Sequence, residues 1–490
     1  MKYLLTTALI ALAAPALAET PSAFGCTGLE TDKELPTIEG RDGVFYRIHA
    51  DLRLHHSFSD QVVADMAALS RALAERGTTL IYVPIPTKSV VLPDLLPDEA
   101  RLYGFDLEIA SWTHDQVIER LQEAGVLTVD ARSAMKDAPG DALPFFRADF
   151  HWTARGADLT AAVIADVIRA QPDYADLPKT VFETVETGMD TGFSGMRRIL
   201  QKHCLDTLPE PQTMTYDTVI SNGSVDLGQG EDGAIDIGLG DTGDDGPVDI
   251  GLGTTDEAPA SEDPGIDIGL GDDEDAGGGG FDLFGEQEAA VPVALLGTSF
   301  SDSPINNFPG FLAQHSDLEV INYAITGGNQ FGAMISYMTS AEFQENRPRF
   351  LVWENPIYNN LAQYGDQPMR ELIAAARGAC DTSLDATLND SRTVLTADLD
   401  GMDLDASDSL FLDTSGSAGL EARFTFVSAD GYRRTKSVAR GERLRRTGRF
   451  YMPLSALWPD GPVQVEIEMS QVYGAAPTLS VCSNQSEEKS

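Results

Sequence analysis

Short β-branched and apolar runs alternate with stretches of helical periodicity over most of the first 370 residues, and this alternation most constrains the fold. Residues 61–75 (QVVADMAALSRALAE) repeat apolar side chains at helical spacing, and residues 78–85 (TTLIYVPI) follow as a buried-type strand. Residues 114–123 read as helix, 125–130 as a short strand and 157–168 as another amphipathic helix. The pattern resumes at 293–296, 320–323 and 350–353, each apolar throughout or nearly so, with helices between. Apolar strands interleaved with helices predict an α/β domain whose parallel sheet is covered on both faces.

Residues 222–290 break this pattern. They hold 20 Asp and Glu, no Lys or Arg, and many Gly. So little apolar surface cannot offset the entropy of ordering, which predicts a long acidic Gly-rich disordered insertion. Four short repeats beginning at Val225, Ile235, Val248 and Ile266 are unevenly spaced, which excludes a solenoid. The whole chain has 77 acidic and 34 basic side chains, a net charge of −43. That balance argues against nucleic acid as a partner, because a phosphate backbone selects Lys and Arg.

The N-terminus reads as a cleaved signal peptide over residues 1–18. Lys2 precedes an apolar run, and Ala16-Leu17-Ala18 supplies the small-x-small cleavage pattern. The expected location is therefore the periplasm, where the four cysteines are oxidised. Three pairings are open, and the sequential one, Cys26–Cys204 and Cys380–Cys482, is preferred because the second pair brackets a change of composition. Between these two cysteines the pattern turns to strand-like alternation, at 393–399, 409–412, 420–428, 449–454 and 463–469, with a hairpin signal at 429–431. The expected order is an α/β domain over 19–379, a β-sandwich over 380–482 and a polar tail over 483–490.

Three segments carry candidate chemistry. In Arg147-Ala-Asp149-Phe-His151-Trp-Thr153, a carboxylate stands two residues from an imidazole, on one side of an extended segment if strand alternation holds. Such a carboxylate can fix the tautomer of the ring and stabilise its protonated form. Thr153 is a candidate cap for the next helix. In Leu296-Gly297-Thr-Ser299-Phe-Ser301, a buried strand ends in Gly-x-Ser, placing a hydroxyl at the carboxyl edge of the sheet. Ser301 is the rival hydroxyl. A third strand-end loop supplies Gly327, Gly328 and Asn329 as oxyanion candidates. A calcium-binding array of Asp/Gly loops is the alternative for 222–290, but its uneven spacing is not that of a repeated Gly-Gly-x-Gly-x-Asp nonapeptide, and no cofactor or metal is expected.

Asp149-Phe-His151-Trp152 resembles the D-x-H-W signature of the SGNH-hydrolase-like alginate O-acetyltransferases of the AlgX/AlgJ type, and Gly297-Thr-Ser299 resembles their nucleophile turn. Asp42-Gly43, Val83-Pro-Ile-Pro-Thr-Lys88 and Val352-Trp-Glu354 fit the same pattern, and the β-rich C-terminal part is similar to the AlgX type. The resemblance implies Ser299 as nucleophile, His151 as general base and Asp149 as its orienting partner. It also implies an acetyl donor relayed by a membrane-bound acyltransferase, association with export-complex proteins and an acidic polysaccharide such as polymannuronate or alginate. One departure is Phe150, where related D-H-H-W proteins carry His. An acetylesterase using the same triad, or a non-catalytic carbohydrate-binding scaffold of an export complex, are the alternatives.

The acidic total conceals a basic stretch. Residues 421–449 carry nine basic against three acidic side chains, with aromatic residues interleaved or adjacent. Arg433, Arg434, Lys436, Arg445, Arg446, Tyr432 and Trp458 are the candidates for holding a polyuronate, because Arg pairs with carboxylates and sugar faces stack on rings. The resemblance makes this region a carbohydrate-binding module.

Overall fold

Residues 21–136, 142–221, 292–454 and 461–483 are described by a computed structural model of the chain. The expected signal peptide, the acidic insertion and Trp458 lie outside them. In chain order, β1 (Thr37–Glu39) and β2 (Phe45–Arg47) form a small antiparallel ladder. They are followed by α1 (Asp60–Ala74), β3 (Thr79–Ile85), α2 (Lys88–Val91), α3 (Leu107–Glu123), β4 (Leu127–Thr128), α4 (Ala131–Lys136) and α5 (Ala154–Arg169). A two-stranded ribbon, β5 (Phe182–Thr191) with β6 (Gln212–Ile220), encloses α6 (Gly195–Gln201) between its strands in sequence. Then come β7 (Val293–Leu296), α7 (Ser299–Asp302), α8 (Phe308–Ser316), β8 (Val320–Asn322), α9 (Gly332–Met338), α10 (Ala341–Glu345), β9 (Phe350–Pro356) and α11 (Gln367–Arg377).

The central sheet has the order β4-β3-β9-β7-β8, and every pairing in it is parallel. Its strands are apolar throughout because successive side chains enter opposite cores. Ile81, Val83, Val293, Leu295, Phe350 and Val352 pack with α4, α5 and α8 on one face. Leu80, Tyr82, Ala294, Leu296, Leu351 and Trp353 pack with α1, α9 and α11 on the other. The expectation of a doubly covered parallel sheet therefore holds. The β5–β6 ribbon was not foreseen in the sequence. Its alternating, mostly exposed residues carry no continuous apolar run to mark it.

The remaining strands are β10 (Thr382–Leu384), β11 (Ala386–Leu388), β12 (Val394–Asp398), β13 (Ser409–Asp413), β14 (Glu421–Val427), β15 (Arg433–Ala439), β16 (Arg449–Pro453), β17 (Gln464–Met469) and β18 (Thr478–Cys482). They make two antiparallel sheets, β10-β18-β13-β16 and β11-β12-β17-β14-β15. Alternate residues of both sheets, among them Leu410, Leu412, Phe424, Phe426, Val465 and Ile467, fill the core between them. The hairpin expected at 429–431 joins β14 to β15. This sandwich packs on α11, where Arg440 and Glu371 form a buried ion pair and Tyr451 N–H also donates to Glu371. The disulfides are Cys26–Cys204 and Cys380–Cys482, the expected pairing.

Candidate active site

The nucleophile turn starts where β7 ends. Gly297 leads into Thr298, the cap of the short helix α7, and Ser299 is that helix's first residue, half-buried at the carboxyl edge of the sheet. Glu354, on the adjacent β9, lies behind the turn and is fully buried. It accepts from Thr298 N–H (2.7 Å), from the Thr298 hydroxyl (3.1 Å) and from the Ser301 hydroxyl (2.9 Å). Burial pushes the Glu354 carboxyl up to about 7, against these hydrogen bonds, which favour its charge. Ser301 thus faces the carboxylate, and Ser299 is the hydroxyl that faces the imidazole.

His151 and Asp149 lie on a tight turn between the bridge residues Phe145 and Trp152, closed by Phe146 N–H donating to His151 O at 3.1 Å. The extended segment expected here is absent. Asp149 Oδ1 instead accepts from the backbone N–H of His151 (2.8 Å), an Asx-type turn that swings the carboxylate onto the ring. His151 Nδ1–H donates to the same oxygen at 2.6 Å, which leaves Nε2 as acceptor for the Ser299 hydroxyl at 2.7 Å. Asp149 Oδ2 accepts from Ser194 at 2.5 Å, and Ser194 also caps α6 by accepting from Arg197 N–H. Burial alone would raise the Asp149 carboxyl, but the His151 ring beside it and the bonds from His151 and Ser194 hold it at about 2. The carboxylate is therefore charged at neutral pH.

Neighbouring side chains lock this line in place. Trp152 Nε1–H donates to Phe300 O at 2.8 Å, tying the histidine turn directly to the nucleophile helix. Thr153 caps α5, as expected. Gly156, one turn into α5, has no space for a Cβ, which would meet Pro144 O at 2.3 Å. Phe150 stacks on the His151 ring with centroids 4.1 Å apart, and its other neighbour is the Arg47 guanidinium, 4.2 Å from the ring centre. Arg47 also lies over Tyr358 and pairs with Asp51 at 3.0 Å. Burial opposes both charges of that pair. For each the partner's charge and the hydrogen bonds together outweigh burial, raising the Arg47 pKa and lowering that of Asp51, with Tyr358 adding to the first and Lys88 to the second.

The three oxyanion candidates occupy the loop after β8, beside the nucleophile turn. Ile325 N–H donates to Gly297 O and Thr326 N–H to Asp302 Oδ2. Gly328 requires a correction, because its N–H is committed to Ile325 O at 3.0 Å by the turn itself. Asn329 Oδ1 accepts from Phe331 N–H. Among the described residues, the N–H groups of Gly327 and Ser299 and the Asn329 amide nitrogen donate no hydrogen bond. Sequence reasoning missed Ser299 N–H, Ser194 and the role of Glu354. A helix cap or a strand carboxylate has no motif of its own.

The basic stretch is not one open surface, because several of its cations have acidic partners. Arg433 pairs with Glu466 on the neighbouring β17 at 3.0 Å. Arg445 meets Glu342 of α10 at 3.3 Å and lies over Tyr323. Arg434 and Lys436 also have partners, and Lys436 faces Asp366 and Arg370 at α11. Tyr432, at the hairpin tip, is 69% exposed. Arg446 is exposed in the loop between β15 and β16. A count of charges along the chain missed the acids that folding brings alongside from other strands and helices.

A hydroxyl, an imidazole and a carboxylate in one hydrogen-bonded line, at the carboxyl edge of a doubly covered parallel sheet, define an SGNH-hydrolase-like protein. Residues 37–230 and 272–357 match the family described as SGNH hydrolase-like domain, acetyltransferase AlgX, and the chain belongs to that family. It is 25% identical over 360 residues to the alginate biosynthesis protein AlgX of Pseudomonas aeruginosa, covering 72% of this chain and 64% of that one. The probable alginate O-acetylase AlgJ of the same organism is 27% identical over 364 residues, 72% of this chain and 78% of that one. The chain thus spans less than two thirds of the AlgX relative. In fold it is similar to the solved structure of Pseudomonas aeruginosa AlgX, with a TM-score of 0.68 and 21% identity over 92% of this chain and 94% of that one.

Proposed function

We propose that the protein is a periplasmic O-acetyltransferase that moves acetyl groups onto hydroxyls of an acidic exopolysaccharide such as alginate. The reading rests above all on the line from Asp149 Oδ1 through His151 to Ser299 Oγ, with steps of 2.6 and 2.7 Å. His151 Nε2 takes the Ser299 proton as the oxygen attacks the carbonyl of an acetyl donor. The same nitrogen then returns that proton to the leaving group. The resulting acetyl-serine is attacked by a sugar hydroxyl, whose proton passes through His151 Nε2 to the departing Ser299 Oγ as the acyl–oxygen bond breaks. Developing negative charge on the carbonyl oxygen is met by Ser299 N–H, with Gly327 N–H and the Asn329 amide as further donors. The names of the AlgX and AlgJ relatives support alginate as acceptor. A membrane-bound acyltransferase as the source of acetyl, export-complex partners and the β-sandwich as a carbohydrate-binding module belong to the same proposal, as do Arg433, Arg434, Lys436, Arg445, Arg446, Tyr432 and Trp458 as polymer contacts.

The test offers a chromogenic acetyl ester and deacetylated polymannuronate to the wild type and to Ser299→Ala. Acetyl recovered on polymer from the wild type, with a loss of roughly 10⁴-fold or more in the variant, supports transfer. Free acetate alone would identify an acetylesterase. Equal inactivity of both proteins with this donor, together with retained polymer binding, would favour a scaffold role.

A further inference from the structure

Lys88 is a buried cation that the acyl-transfer reading leaves unused. It opens α2, is 1% exposed, and its ammonium donates only to backbone carbonyls among the described residues. These are Asp149 O at 2.5 Å, Phe146 O at 2.7 Å, Phe45 O at 3.0 Å and Arg147 O at 3.2 Å. Three of the four belong to the turn that presents Asp149 and His151. Arg147 O also accepts from Phe45 N–H at 2.9 Å, but the other carbonyls that converge inside this buried turn need donors, and leaving them bare is costly. An ammonium brings three N–H groups and a full charge to one point, and its bonds are charge-assisted. Asp149 is consequently held at both ends, its carbonyl by Lys88 and its carboxylate by His151 and Ser194.

Building on the acyl-transfer reading above, we propose that Lys88 is a positioning residue. By gathering the carbonyls of Phe146, Arg147 and Asp149, it sets the shape of the turn and hence the alignment of Asp149 and His151 on Ser299. It touches no substrate, so its loss acts on kcat and leaves KM alone. A displacement of the catalytic line by about 1 Å is enough to slow turnover about 100-fold.

Lys88→Gln, which keeps two N–H donors without the charge, and Lys88→Met, which keeps neither, are compared with wild type. Three measurements are made: ester turnover, circular dichroism, and the far-downfield proton resonance of His151 Nδ1–H. The expected result is a native fold, KM within about twofold, and kcat lowered about 10-fold in Lys88→Gln and about 100-fold in Lys88→Met, with the downfield resonance shifted or lost. Unchanged kcat and resonance in the folded variants would overturn the proposal. So would the loss of the whole fold in both, which would make Lys88 a general core residue. The resonance is readable without turnover. A wild type that shows it but cleaves no ester would count against the acyl-transfer reading, while its response to Lys88→Gln still decides the role of Lys88.

Discussion

Gly297 stands where no side chain fits. A Cβ there would lie 2.3 Å from Glu354 Oε2 and 2.8 Å from Ser301 Oγ. Gly297→Ala must push back the carboxylate that receives Thr298 N–H, and overpacking of this kind costs about 1–3 kcal/mol. A lower melting temperature is expected, with slower labelling of Ser299 by a sulfonyl fluoride in the folded fraction. Labelling at the wild-type rate would mean that the turn absorbs the change. Glu354 itself predicts a pH effect. Its folded value of about 7 lies above the ordinary glutamate value of 4.5, so the native state holds this proton more tightly. The associated stability is fully present below about pH 4.5 and is lost as pH rises through 7. It amounts to something on the order of 3 kcal/mol. Glu354→Gln is expected to flatten the fall in the urea midpoint between pH 5 and 8, and parallel curves for the two proteins would contradict this. Asp149 has the opposite sign, because its depressed value confers stability above about 4 that is lost toward pH 2.

The histidine turn and α6 act together as elements. Ser194 caps α6 and donates to Asp149 Oδ2, so a single hydroxyl couples a helix end to the carboxylate that faces His151. Ser194→Ala should cost about 1 kcal/mol for the lost cap. It should also lower kcat about 10-fold with KM nearly unchanged, because Asp149 would be held on one side only. Steady-state kinetics at fixed pH check this, and a pure rise in KM would place Ser194 at the substrate instead. These links also show how legible the site was. Asp149, His151 and Ser299 stood out in the sequence because their chemistry is distinctive and their local patterns are short. The turn that joins Asp149 to His151 did not, because an Asx bond, rather than strand alternation, brings the two side chains together. Ser194 was invisible, since 45 residues separate it from its partner and a capping serine has no special composition.

At the scale of the whole molecule, the sandwich is fastened to the α/β part through Arg440 and Glu371, which are 5% and 1% exposed at their side chains. Breaking a buried pair by removing one partner leaves an uncompensated charge and costs about 3–5 kcal/mol. Arg440→Met is expected to lower the denaturant midpoint accordingly, and the double replacement with Glu371→Met should recover much of the loss. A single variant as stable as wild type would refute a dry, paired interface. Ion pairs also divide the basic stretch. Nine cations within 29 residues look like a surface for a polyanion, yet Arg440, Arg445 and Arg449 meet Glu371, Glu342 and Asp413.

By itself the sequence determined the parallel α/β sheet and a strand-rich C-terminal region, favoured one of three cysteine pairings, and singled out Asp149, His151 and two candidate hydroxyls, Ser299 and Ser301. Each of these depends on local periodicity, on short motifs or on a simple count, and such information survives in one dimension. Only the tertiary structure decided which hydroxyl faces His151, which N–H groups near it stay uncommitted, which arginines are neutralised and what Lys88 holds. Electrostatics and hydrogen bonding depend on distances of about 3 Å between groups up to hundreds of residues apart along the chain. No local pattern encodes those distances, because packing of the whole chain sets them.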